Sequence, residues 1–471
     1  DVNLLHKKLS YYFKMKNILK AILIPAVLGF TACNPLQLDE VLDPNNPSLA
    51  SVETNATKEQ VQFLLTGLEA SHRSYVVNIS LAWNTFGRET WYLNASDPRF
   101  QTDWLGQAGR VPDRSYFGFG STGGGSWAAP YQAIKQADVL ISSSNGSTLL
   151  VDAEKKAVSG FAKMIQGYQF MIPANFVYEN GIRIDVKDPL KPGKFVKYEE
   201  ALNHIKSILD QADQDLAAAG SGAFPLKLTP GFAAFNTIPN LRKVNKAILA
   251  RLNAYRKDWQ GILTALDGSF MDMSGNLNAG PAHPYSGPPD AFNPLFYLPN
   301  AAVNTIIVVH PSMIDDATAG DSRVSRKFFK RNNPVVVTTD ATPLSAQYQD
   351  ARWATNTTPI PFIRNEELIL LKAEAHANLG QTTEAVNAIN VIRNAAAIGN
   401  YTGATTKDAL INEILYQRRY SLWAEPWGHR WIDARRYNKL NEIPTSYDKG
   451  TIFKQFPHPQ SEINWDIYVG G

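Results

Sequence analysis

The run Glu366–Ala397, EELILLKAEAHANLGQTTEAVNAINVIRNAAA, decides the fold. Leu368, Leu371, Ala375 and Leu379 recur at helical spacing, and Gly380 follows where a left-handed C′ glycine ends a helix. Thr382 or Thr383 then caps a second helix whose face is Ala385, Ile389, Ile392 and Ala396. Two helices of about 13 residues, small residues at their crossing and a glycine turn describe a tetratricopeptide-like unit. A further helix over 407–423 follows through Leu410, Ile414, Leu415 and Leu422.

The same pattern extends towards the N-terminus. Thr57-Lys58-Glu59-Gln60 forms a capping box ahead of Val61, Leu64, Leu65 and Leu68. Trp127-Tyr131-Ile134-Val139 and Ala157-Phe161-Met164-Tyr168 make two more stripes. Leu202-Ile205-Ile208-Leu209-Ala212-Leu216 makes another, and Ala247-Ile248-Leu252-Tyr255 turns at Lys257-Asp258 into Ile262-Leu263-Leu266. Residues 84–126 and 270–361 break this periodicity with glycine, proline and aromatics, the second with short strands at Asn304–Val309 and Pro334–Thr338. Loops this long inside a folded chain are usually functional. The expectation is a mainly α-helical scaffold with long irregular loops and a few short strands.

At the N-terminal side, KNILKAILIPAVLGFTACNP (Lys16–Pro35) carries an apolar run from Ala21 to Ala32 behind Lys14, Lys16 and Lys20. It is too short to span a bilayer, which takes roughly 20 apolar residues, and has the proportions of an export signal. Met15 is then the expected start, with 1–32 an upstream segment plus signal. Phe30-Thr31-Ala32-Cys33 resembles a bacterial lipobox, so Cys33, the single cysteine, is the expected lipid anchor. Residues 33–56 form an extended, proline- and asparagine-rich tether, and 57–471 a single helical domain. Residues 1–32 hold five of the 46 basic residues and one of the 43 acidic ones, leaving 41 against 42. That balance offers no electrostatic footprint for nucleic acid.

Signatures of catalysis are missing: the chain has no HExxH, GxSxG, P-loop or CxxC, and its eight histidines are scattered. Asp315-Asp316 and Glu366-Glu367 fit a solvated turn and a helix start. Gly118–Gly123 satisfies GxGxxG formally. It follows the polar, proline-broken GRVPDRSYF rather than a buried strand, so it is expected to be a loop and not a nucleotide site. No cofactor, metal or catalytic residue is expected.

Several segments together resemble the SusD/RagB family of Bacteroidetes outer-membrane lipoproteins. They are PFIRNEELILLKAEAHANLG (Pro361–Gly380), EAVNAINVIRNAA, ILYQRRYSLWAEPWGHRWIDARRY (Ile414–Tyr437) and FPHPQSEI (Phe456–Ile463). The lipoprotein signal, PNNP at Pro44–Pro47, the Trp127–Asp138 pattern and NKAILARLNAYRKDW (Asn245–Trp259) agree in order along the chain. The chain departs from the family pattern at Glu425-Pro426-Trp427-Gly428, where glutamate is usually followed directly by glycine. The resemblance implies a fold of four tetratricopeptide-like helix pairs with a loop-rich second half. It also implies a cell-surface lipoprotein that captures oligosaccharide without cleaving it and delivers it to a SusC-like TonB-dependent transporter. A peptide-binding or structural lid on that transporter is the alternative, and a cryptic glycoside hydrolase the third.

A neutral sugar needs flat aromatic platforms beside planar hydrogen-bonding groups. RETWYLNASDPRFQTDW (Arg88–Trp104) supplies Arg88, Trp91, Tyr92, Asn94, Asp97 and Trp104. HPYSGPPDAFNPLFYLPN (His283–Asn300) supplies Tyr285, Phe292 and Tyr297, and Arg352-Trp353 follow later. Each has a plainer role open to it: Trp91 and Trp104 as buried loop anchors, Arg352-Trp353 as a cation–π pair. Trp83 and Tyr75 read as core, and Arg430, Trp431, Asp433, Arg435 and Arg436 as a structural ion-pair and stacking network.

Overall fold

The computed structural model describes residues 55–112, 126–188, 190–302, 304–338 and 340–470. The signal run, Cys33, most of the tether and Gly118–Gly123 lie outside the described residues. Helix α1 (Lys58–His72) starts on the expected capping box: Gln60 N donates to Thr57 Oγ1 at 3.2 Å and Thr57 N to Gln60 Oε1 at 2.8 Å. The body begins slightly earlier than the sequence suggests. Asn55 Oδ1 accepts from Thr148, and Ser147 Oγ donates to the carbonyl of fully buried Ala56 at 2.6 Å.

Seven more α-helices follow among the described residues up to Asp267. They are α2 (Val76–Phe86), the short α3 (Arg99–Leu105), α4 (Ala128–Gly146), α5 (Asp152–Val177), α6 (Tyr198–Ala218), α7 (Ile238–Arg256) and α8 (Trp259–Asp267). α1 packs on α4, α4 on α5, α5 on α6, α6 on α7 and α7 on α8. α5 and α6 approach closely because of two glycines. A Cβ at Gly160 would sit 2.7 Å from Leu216 Cγ, and one at Gly167 2.6 Å from Leu209 Cδ2. The chain turns from α7 to α8 through Lys257 in the left-handed region, and Asp258 caps α8 by accepting from Gly261 N at 2.8 Å.

In the C-terminal third, α11 (Asn365–Asn378) packs on α8, on α12 (Thr382–Ala395) and on α13 (Lys407–Ser421). Gly380 takes φ +74°, as expected of the turn. The cap of α12 differs from expectation: Gln381, not Thr382 or Thr383, is its N-cap and makes no side-chain cap bond. Its amide oxygen is instead engaged by His376 Nδ1 at 2.5 Å. Among the described residues, no helix is long and apolar enough to cross a membrane.

The two stretches expected to be irregular loops are more ordered than their composition suggests. Strands β1 (Thr90–Asn94), β5 (Thr305–Val309), β7 (Leu344–Asp350) and β6 (Phe328–Val337) form one antiparallel sheet in that order. β1 lies on β5 in the register Thr90↔Val309 to Asn94↔Thr305. The pairs β2 (Ile182–Arg183) with β3 (Phe195–Val196) and β4 (Ala282–His283) with β8 (Ile360–Pro361) are small separate ladders. Short helices α9 (Ser312–Asp315) and α10 (Ser322–Lys327) link β5 to β6. α14 (His429–Arg436) and α15 (Gln460–Gly470) complete the chain.

The core holds neutral histidines. His72 meets Tyr168, His283 and Phe362 edge-on at 4.9, 4.8 and 4.8 Å. Burial holds His72 down at about 3, His310 at about 4 and His283 well below the usual range. The folded state therefore binds fewer protons than the unfolded one below pH 6.5, and stability present above that value is lost on acidification. Glu89, pushed up to about 8 by burial, opposes this below pH 8. With His204 also lowered and Glu69 also raised by burial, four imidazoles stand against two carboxyls, and stability should fall by on the order of 1–2 kcal/mol per pH unit between pH 6.5 and 5. Thermal unfolding across that range measures it, and His283→Gln should flatten the slope. An unfolding temperature unchanged over that range would mean these imidazoles protonate freely in the native state.

Candidate functional site

The end of β7 leads into the segment that lines the candidate site. Asp350 Oδ1 accepts from Arg352 N at 3.0 Å and from its Nε at 2.9 Å, so the turn folds back on itself. Asp350 Oδ2 accepts from Arg352 Nη2 at 2.6 Å and from the Trp353 indole N–H at 3.0 Å. The other guanidinium donors reach the carbonyls of Trp423 at 2.7 Å and Ala424 at 3.1 Å. The guanidinium carbon lies 4.8 Å from the Trp353 ring centre and 4.7 Å from that of Trp423. Trp353 is thus a half-buried ring whose polar atom is already satisfied and whose orientation is fixed.

Arg352 and Trp353 line a cavity of about 320 Å³ with Asn278, Lys327, Thr358, Arg364 and Glu425. Arg364, from the N-cap of α11, donates to Glu425 at 2.7 Å and to the Ser421 carbonyl at 2.6 Å, and pairs with Glu366. Lys327 Nζ donates to the carbonyls of Tyr420 and Ser421, both at 2.6 Å, and burial draws its amine down to about 7. Burial alone would raise the Glu425 carboxyl, but Arg364 and His429 hold it well below the carboxylate range. Lys327, Arg352 and Arg364 are therefore matched by Asp350, Glu366 and Glu425. A cavity so balanced selects neither anion nor cation. It offers an aromatic ring, an apolar floor at Ile360, Pro361 and Pro426, and fixed hydrogen-bonding groups.

The second loop joins this site through Asn293, whose N donates to Asn356 O at 2.7 Å and whose Nδ2 donates to Thr358 O at 2.8 Å. On that loop Phe292 is 49% exposed. Tyr285 is buried under Arg73, 5.2 Å away, and Arg73 also pairs with Asp290. Tyr297 is half-buried and packs against the sheet core.

The first loop is placed differently from the expectation of a ligand face. Arg88 is fully buried and paired with Asp448 at 2.8 Å. Trp91 and Trp104 are 2% and 0% exposed, because β1 presses one into the sheet core and α3 the other against Phe86 and Phe100. Asn94 is buried, its side-chain oxygen accepting from Ser96 N and Asp97 N. Tyr92 is half-buried against Phe100 at 5.0 Å, and Asp97 pairs with Arg99. None of these lines the Arg352–Trp353 cavity.

Asn278, Lys327, Thr358, Arg364 and Glu425 also line the cavity, and their proximity arises only from the fold. The one signal was the departure at Glu425-Pro426, two residues that both line the cavity. The network expected around α14 is present: Arg418 pairs with Asp433 at 2.6 Å, and Arg436 with Glu374 and Asp433 at 2.7 Å each. Trp83 and Tyr75 are fully buried. Among the described residues, no group of three or more His, Cys, Asp or Glu could hold a metal ion.

Comparisons with known proteins agree with this architecture. The model of the SusD family matches residues 325–467. A curated relative, SusD-like protein P38 of Formosa agariphila, is 40% identical over 94 residues, which cover 18% of this chain and only 18% of that protein. A SusD superfamily protein from Bacteroides vulgatus has a similar structure, with a TM-score of 0.61 at 15% identity over 87% of this chain and 97% of that one. Surface glycan-binding protein A of Bacteroides thetaiotaomicron, solved with laminarihexaose, gives 0.64 at 12% identity over 87% and 98%. At such identities the likeness is one of fold. The C-terminal third thus matches the SusD family model, and the described body has the fold seen in SusD superfamily structures.

Proposed function

We propose that this chain is a non-catalytic, cell-surface glycan-binding lipoprotein. It captures oligosaccharide at the Arg352–Trp353 cavity and delivers it to a SusC-like TonB-dependent outer-membrane transporter. The observation that carries the proposal is Trp353, a fixed indole beside a charge-balanced cavity with amide and hydroxyl groups on its wall. Such a surface suits the C–H face and hydroxyls of a neutral pyranose. The structural relative bound to laminarihexaose supports the same ligand class. Cys33 would hold the protein at the membrane, since two or more acyl chains give stable anchoring where one does not.

The carboxylates are poorly placed for catalysis. Glu425, held ionised by Arg364, cannot serve as a general acid. Glu367 is locked to Arg251 at 2.6 Å with both side chains buried. Glu89 would be protonated at neutral pH, but it is fully buried and no substrate reaches it.

Isothermal titration of the mature chain with β-1,3-, β-1,4- and α-1,4-linked glucohexaoses tests the proposal. Trp353→Ala is expected to weaken binding roughly tenfold, the scale of a lost ring contact plus its buried area, with little change in unfolding temperature. Absence of binding to every hexaose at millimolar concentration would sink the glycan reading. Binding of peptides instead would favour the alternative of a peptide-binding lid.

A further inference from the structure

A second cavity, of about 420 Å³, lies between the first turn of α4, the β2–β3 ladder and α15. That volume falls within the ~300–1,000 Å³ of small-molecule sites. Trp127, Tyr131 and Trp465 give it ring surface, and Val186 and Pro192 add apolar lining. Trp127 and Tyr131 are fixed from behind. The Trp127 indole donates to Glu462 Oε1 at 3.1 Å, and Tyr131 OH donates to Arg183 O at 2.9 Å. Trp465 stands half-buried on α15.

The polar groups around these rings are set and balanced. Arg183 Nε donates to Glu462 Oε2 at 2.9 Å, its Nη2 to Asp466, and its Nη1 to Gly193 O at 2.6 Å. The guanidinium also lies 4.0 Å from the centre of the Phe195 ring, which fixes it over β3. Lys135 Nζ donates to Lys187 O at 3.0 Å. Arg183 pairs with both Glu462 and Asp466, and with Lys135 on the cavity wall these four side chains carry no net charge. A carboxylated, sulfated or cationic ligand would gain nothing here over a neutral one. A purely apolar ligand would leave the open valences of Lys135, Ser461 and Glu462 facing hydrocarbon. A neutral pyranose, with one C–H face and a rim of hydroxyls that both donate and accept, meets both demands.

We infer that this cavity is a second, independent site for a neutral saccharide ring, with Trp465 as its stacking platform and Lys135 and Glu462 as its hydrogen-bonding groups. The assignment rests on the saccharide reading proposed above, but it uses none of the same residues. Two sites on one chain would let a long polysaccharide engage twice, converting the second contact into an intramolecular one.

Calorimetric titration of the mature chain with the same three glucohexaoses tests it, using Trp465→Ala, Trp465→Phe, Lys135→Met and Trp353→Ala. The expected result is two saccharides per chain. Trp465→Ala should weaken one class roughly tenfold and leave the other unchanged, and Trp465→Phe should restore much of that loss. Lys135→Met, a change on α4 and not on α15, should weaken the same class and so separates ligand contact from any loosening of α15. A single class abolished by Trp353→Ala and indifferent to Trp465→Ala and Lys135→Met overturns the second site and leaves the proposed function standing. A single class lost with Trp465→Ala alone supports this site and overturns the Arg352–Trp353 assignment. No hexaose bound at all overturns both.

Discussion

Arg88→Met should destabilise the protein by about 3–5 kcal/mol, the usual result of stranding a buried charge. Arg88 sits at φ +50° in the turn from α2 to β1 and is fully buried with Asp448. Its Nε and Nη2 donate to the two Asp448 oxygens at 2.8 and 3.2 Å. The remaining donors reach Leu105 O at 2.9 Å and Thr85 O at 3.2 Å. Methionine keeps the stem but removes every one of those donors, leaving the Asp448 carboxylate beside only Gly450 N and His310, 3.9 Å away. Burial alone would raise the Asp448 carboxyl, which His310 and Arg88 together hold down, so losing Arg88 should shift it upward at a cost in stability. Arg88→Met with Asp448→Asn should recover a large part of the loss, because the uncompensated charge is gone. Denaturant unfolding with an unchanged m-value measures it. If Arg88 instead met ligand, the single variant would lose binding and keep its stability, and that outcome would reverse the assignment made here.

The contrast between Arg88 and Arg352 shows what is legible in a sequence of this kind. Helices are, because each stripe reports its own burial. The faces around Val61, Phe161, Leu209, Ile248 and Ile389 are buried, and the capping box at Thr57 forms as written. Turns carried by one residue are legible too, as at Gly380 and Lys257. Strand pairing is not. β1 reads as an irregular aromatic stretch because its partner β5 lies more than two hundred residues away, and only that pairing decides which side of Thr90–Asn94 is inside. Both Arg88 and Arg352 are followed by tryptophans in proline- or threonine-rich surroundings. One is enclosed by Asp448 and the 448–451 segment, and the other lines a cavity because α10, α11 and the Glu425 turn converge on it. The cavity's own Lys327, Arg364 and Glu425 come from three distant segments, so no spacing could have announced them.

Trp91→Ala and Trp104→Ala turn that distinction into numbers. Each ring is 2% exposed or less, Trp91 packed edge-on against His310 at 4.8 Å and Trp104 against Phe100 at 4.8 Å and Phe86 at 6.0 Å. Truncation removes the transfer energy of an indole and leaves a cavity, in the sheet core for Trp91 and beside Phe86 and Phe100 for Trp104, for an expected loss of about 3–5 kcal/mol each. Chemical denaturation of each variant checks it, with hexaose titration of the folded fraction alongside. Stability should fall while affinity per folded molecule stays within about twofold of the parent, since neither ring lines the Arg352–Trp353 cavity. Trp353→Ala should do the reverse: its ring is half-buried, held by the hydrogen bond to Asp350 and the Arg352 guanidinium 4.8 Å from its centre. The two effects should be independent, and so additive in the double variant, because the Trp91 cluster and the Trp353 cavity share no lining residue. A Trp91→Ala variant that unfolds like the parent yet loses hexaose binding would mean that β1 leaves its place beside β5 to meet ligand, and the ligand face would then have to be redrawn around the first loop.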